Sequence, residues 1–82
     1  MWMSMLPPDE PVSETERLLL WAVEVGARGR NEVLLRASLS HREGVPLLAG
    51  LAERRLLREF GRLEAPSYEL TEAGRAALGR AR

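Results

Sequence analysis

The apolar pattern of this chain changes period at Leu56–Leu57, with no linker between the two regimes. Upstream, Leu47, Leu48, Leu51 and Leu56 supply one face of a helix. Downstream, Leu57-Arg58-Glu59-Phe60 and Ser67-Tyr68-Glu69-Leu70 read as two short strands, with Tyr68 and Leu70 on one face. The stretch Leu39–Leu57 therefore organises the chain as a packed helix that runs straight into a hairpin. Residues 61–66, Gly-Arg-Leu-Glu-Ala-Pro, read as the connection between the strands. Thr71 then caps a last helix from Glu72 to about Gly79, with Arg75, Arg80 and Arg82 towards its negative end.

Two shorter helices precede this unit. Ser13-Glu14-Thr15-Glu16 has capping-box spacing, in which the Ser13 hydroxyl accepts from the Glu16 N–H and the Glu16 carboxylate accepts from that of Ser13. The run from Leu18 to Val23, then Val25, is apolar on more than one face, and Gly26 stops it. Trp21 is expected in the core. Asn31 is placed to cap a second helix, Glu32 to about Ser38, whose Val33, Leu34 and Ala37 share a buried face. Leu39 and Ser40 make the turn into the third helix.

Ser40-His41-Arg42-Glu43 is a second capping box, but Pro46 conflicts with it. A proline inside a regular helix deletes one hydrogen bond and crowds the preceding turn, at about 3 kcal/mol. The sequence therefore predicts a separate turn over residues 41–44 and a main helix starting near Val45–Pro46, where proline fits.

With 82 residues the chain is one small domain, read as a Pro-rich acidic leader over 1–12 and a folded unit over 13–82. Pro7, Pro8 and Pro11 keep the leader extended or irregular. Net charge is zero, which argues against an indiscriminate polyanion binder. Residues 1–16 nevertheless hold Asp9, Glu10, Glu14 and Glu16 with no base, so residues 17–82 carry the balancing positive charge, all of it arginine. Met1 to Leu6 lacks the basic start and long apolar core of a signal peptide, and no run is long enough to span a bilayer, so the expectation is a cytoplasmic protein without membrane contact.

The pattern Leu48-x-x-Leu51, Arg55-Leu56-Leu57, a hairpin, then Tyr68-x-Leu70-Thr71-x-x-Gly74-x-x-x-Leu78 resembles bacterial winged helix-turn-helix regulators of the MarR, PadR and ArsR groups. The resemblance covers residues 13–80 and implies a mainly α fold: three helices, a two-stranded wing and a C-terminal helix. Such regulators usually carry glycine where Arg55 stands, in a left-handed conformation that costs other residues about 1–2 kcal/mol. A differently built helix end is therefore expected here. The early positions of the third helix also depart from the family, offering His41, Arg42, Val45, Pro46, Ala49 and Gly50 where base-reading polar residues usually stand.

The resemblance implies a transcriptional regulator that binds double-stranded DNA without a cofactor. His41 and Arg42 would enter the major groove, Arg28, Arg30 and Asn31 would hold phosphates at the start of the second helix, and Arg58 or Arg62 would reach the backbone or minor groove from the wing. An alternative is a protein-interaction module using the apolar outer face of the third helix, at Val45, Pro46, Ala49 and Gly50. A homodimer would have to use Met1 to Leu6, the first helix or the last. Enzymatic chemistry is not expected: with one His, one Asp and no Cys, neither a catalytic triad nor a metal cluster can be assembled.

Overall fold

The computed structural model describes residues 11–80. The expectations for the leader before Pro11, including Met1 to Leu6, and for Arg82 lie outside them. The elements are α1 (Glu14–Glu24), α2 (Arg30–Ala37), α3 (His41–Glu53), β1 (Leu57–Arg62), β2 (Ala65–Leu70) and α4 (Glu72–Arg80). This is a winged helix-turn-helix: three helices around a leucine-rich centre, an antiparallel wing, and a closing helix. Among the described residues no helix is long and apolar enough to cross a membrane.

The core is built from Leu19, Leu20 and Val23 of α1, Leu34 of α2, Leu48 and Leu51 of α3, Leu57 and Tyr68 of the wing, and Leu78 of α4. Burying each leucine contributes about 2 kcal/mol. Val12, just before α1, packs against the same cluster. Trp21 does not join it and remains 37% exposed. At about 100° per residue it stands opposite the buried stripe of Leu19, Leu20 and Val23, on the same outer face as exposed Val25.

Helix α3 is one element of 13 residues, so the separate turn expected over 41–44 does not form. Ser40 Oγ accepts from Glu43 N at 3.2 Å, and Glu43 Oε1 accepts from Ser40 N at 3.3 Å. Gly44 is buried, and a Cβ there would overlap Leu34 Cδ2, so this turn sits directly on α2. Capping and close packing together outweigh the single backbone bond that Pro46 removes, the one its absent N–H would give to the Arg42 carbonyl.

Helix α2 also begins earlier than expected. Gly29, not Asn31, is its cap residue, and no side chain completes the cap. The wing turn is tighter as well. Arg62 pairs with Ala65, leaving only Leu63 and Glu64 between the strands, and Pro66 lies inside β2 opposite Gly61. A strand at a sheet edge accepts proline wherever its N–H is not needed for the ladder.

Helices α1, α2 and α3 end alike. The N–H of Gly26, Ser38 and Arg55 returns to Val23, Leu35 and Ala52 at 3.0–3.1 Å, and that of the next residue to Ala22, Leu34 and Leu51 at 2.9–3.0 Å. This is the Schellman arrangement, whose turning residue is left-handed. Only Gly26 is glycine; Ser38 and Arg55 take φ of 60° and 64°. The expectation that α3 would end differently for want of glycine is therefore corrected. Thr71 Oγ1 lies 2.7 Å from the Arg55 carbonyl oxygen and 3.0 Å from that of Leu56, and accepts from Gly74 N at 2.9 Å. One side chain thus braces the end of α3 and caps α4.

Candidate nucleic-acid interface

The first turn of α2 is held against the wing. Tyr68 N donates to the Arg28 carbonyl at 2.8 Å, and Gly29 forms a bridge with Ser67. Glu32 Oε1 accepts from Arg28 N at 3.0 Å, which satisfies a donor just ahead of the helix. These bonds fix where Arg28, Arg30 and Asn31 emerge. From there Arg30 Nη2 reaches the carbonyl of Glu64 in the wing turn at 3.5 Å, while its Nε is buried without a partner.

Asn31 does not cap α2; its Oδ1 lies 2.7 Å from Nε2 of His41, the first residue of α3. Arg42 follows His41 and is exposed. Arg62 is exposed beside the wing turn. A continuous path therefore runs from His41 through Asn31 and Arg30 to Glu64 and the wing tip. Of the residues singled out in the sequence, Arg28, Arg30, Asn31, His41, Arg42 and Arg62 lie on or beside this path.

Arg58 is engaged elsewhere. Its Nη2 lies 2.8 Å from Glu69 Oε1, and its guanidinium sits over the Phe60 ring, 4.7 Å from the centroid. The pairing register puts Arg58, Phe60 and Arg62 on one face of the wing, with Glu69, Ser67 and Ala65 opposite them.

Beneath the path lies Tyr68. Burial raises its phenol pKa above the ordinary 10.0, the nearby Glu59 carboxylate adds to the rise, and Arg30 opposes both. The supports that sequence reasoning missed, Tyr68 and Ser67 bonding to the loop before α2 and Asn31 bonding to His41, are pairings between distant segments. Only the Arg28–Glu32 bond has a spacing visible along the chain.

Beyond Arg42 the outer face of α3 is apolar as far as Gly50, with exposed Glu53 at its end. Pro46 and Ala49 are exposed, Val45 is half-buried against the core, and a Cβ on Gly50 would meet nothing within 4 Å.

No family model matches this chain, and no curated protein sequence does. Its fold is shared with solved structures. It superposes on BpsR of Bordetella bronchiseptica, whose DNA binding is regulated by 6-hydroxynicotinic acid, with a TM-score of 0.77 and 22% identity over 89% of this chain. The chain spans 54% of that protein. It also resembles Sso10a-2, a DNA-binding protein from Sulfolobus solfataricus, with a TM-score of 0.68 and 19% identity, over 84% of this chain and 74% of the other. At these identities the likeness establishes the fold.

Proposed function

We propose that this chain binds double-stranded DNA and acts as a transcriptional regulator. The observation that carries the reading is the linked path from His41 and Asn31 through Arg30 to the wing turn, with Arg28, Arg42 and Arg62 beside it. In a winged helix these are the positions that meet a duplex together. The two structural relatives, both described as binding DNA, support it by analogy of fold.

In this reading His41 and Arg42 approach base edges in the major groove, and Arg28, Arg30 and the first backbone N–H groups of α2 hold phosphates. Arg62 reaches the backbone or minor groove from the wing. Arg58, already paired with Glu69, contributes least. Because Pro46 and Ala49 offer no hydrogen bonds to bases, phosphate contacts supply most of the affinity.

Binding to a mixed pool of duplexes across a salt series tests this. The affinity is expected to fall steeply, with a log–log slope of about −0.9 for each phosphate neutralised. Replacing Arg42 and Arg62 together by alanine should abolish binding. No binding at low salt rejects the function, and unchanged affinity in the double variant rejects this docking face.

A second reading, a protein partner seated on α3, draws on the open space at Gly50 beside exposed Pro46 and Ala49. Cross-links from a partner mapping to those residues, with no salt-dependent DNA binding, would favour it.

A further inference from the structure

The outer face of the wing carries an aromatic ring that lies outside the core and meets the Arg58 guanidinium. Phe60 is 39% exposed, although Leu57, Pro66 and Tyr68 on the other face of the same hairpin are buried. Its cross-strand neighbour is Ser67, too small to cover the ring. Arg58 and Arg62 flank it two residues away on either side, on the same face. Arg58 is held over the ring by Glu69, a pair that leaves it no net charge. Arg62 has no partner among the described residues and stands opposite Ala65, so the free positive charge of this face lies at its tip.

We infer that this face is a second nucleic-acid site, which takes an unpaired strand. The two groups such a strand requires are both here: a part-exposed aromatic ring stacked with a guanidinium, which a base can extend, and an arginine without an ionic partner two residues along the same face. Stacking is indifferent to base identity, whereas a duplex buries its base faces and cannot offer them to Phe60. The Arg58 guanidinium, fixed over the ring, extends the stack by one planar group. Arg62, the unpaired charge of this face, suits a phosphate, and the ring beside it distinguishes a nucleic-acid strand from an acidic peptide. The site shares Arg62 with the proposed duplex surface but centres on Phe60, away from His41, Asn31 and Arg42, and the inference holds whether or not that surface binds a duplex.

The test uses the full chain and a fluorescent oligothymidylate of roughly ten nucleotides, within the site size of single-strand binders. Fluorescence anisotropy at low salt should show binding that Phe60→Ala weakens roughly ten- to a hundredfold, the range found for loss of one stacked base. Phe60→Leu, which keeps apolar bulk but no π-face, should behave like Phe60→Ala. Phe60→Trp should bind at least as well as the parent chain. Phe60→Ala should leave duplex affinity unchanged, whereas Arg42→Ala should lower duplex affinity alone, so that failure of either site is read separately. Phe60 is on the surface, and a thermal melt of each variant confirms folding. The inference is overturned if the parent chain does not bind the single strand, if Phe60→Ala binds it equally well, or if polyglutamate competes as effectively as unlabelled oligonucleotide.

Discussion

Helices α1 and α3 close on the same two backbone hydrogen bonds, yet one turns on Gly26 and the other on Arg55. The difference follows from what surrounds each turn. Gly26 is exposed, and a Cβ there would meet nothing, so its left-handed conformation rests on local geometry, which favours glycine. Arg55 is in a different position. The Thr71 hydroxyl holds its carbonyl, Leu56 behind it is in the core, and Gly74 of α4 lies so close that a Cβ would strike the Leu56 carbonyl oxygen. Tertiary contacts impose at Arg55 what glycine provides at Gly26, at a local cost of about 1–2 kcal/mol.

The strongest way to break this comparison is Gly74→Ala. Its methyl meets backbone at Leu56 and lies 2.9 Å from Leu70 Cδ1, so α4 must lift off the end of α3. A loss of about 3 kcal/mol, the upper end for overpacking, is expected in thermal or urea unfolding. Thr71→Val keeps the shape but removes the brace and the α4 cap, and should cost about 2 kcal/mol. The substitutions at the two turns should then have opposite signs. Gly26→Ala should destabilise by about 1 kcal/mol, whereas Arg55→Gly should stabilise by a similar amount. Equal signs in the same unfolding assay would show that the two turns do not differ as described. In the Thr71→Val background the gain from Arg55→Gly should differ from its value alone, because the two residues share a hydrogen bond.

The smallest effect is on pH dependence. The folded-state pKa of Tyr68 is raised, mainly by burial, so below the ordinary 10.0 both folded and unfolded chains hold the proton and this contribution to stability is complete. As pH rises above 10.0 the unfolded chain ionises first, and stability declines until the buried phenol itself ionises. The sequence has one tyrosine, no cysteine and no lysine, so no other side chain titrates near that range. Urea unfolding at about pH 9 and about pH 11 should show the decline, and Tyr68→Phe should remove it.

What was legible along the chain was the part governed by near neighbours. The capping boxes at Ser13 and Ser40 form as their spacing requires, and Gly26 ends α1. The segment Tyr68-x-Leu70-Thr71-x-x-Gly74 is also explained by its contacts: Tyr68 is buried, Leu70 packs against the core, Thr71 caps and braces, and Gly74 admits the Leu56 carbonyl. What was not legible depends on partners far along the chain. Asn31 is an intrinsically good cap residue, but α2 starts earlier because β2 holds Arg28 and Gly29, which leaves Asn31 facing His41. Proline at 46 argued for a break, yet Gly44 lying against Leu34 keeps that turn in the helix. In the candidate interface the residue types were legible and the linkage between them was not. Nothing local tells that Arg58 faces Glu69 and Phe60 while Arg30 reaches the wing turn.

Pro46 also determines what a binding partner of α3 must bring. The Arg42 carbonyl lacks the donor that an N–H at position 46 would give, on the turn that bears exposed Arg42 and Pro46. Any surface that covers this turn takes that carbonyl out of solvent. It must then supply a donor, retain a bridging water, or lose about 1–3 kcal/mol to desolvation. The requirement belongs to the main chain, so replacing the Arg42 side chain leaves it in place, and only a residue with an N–H at position 46 removes it.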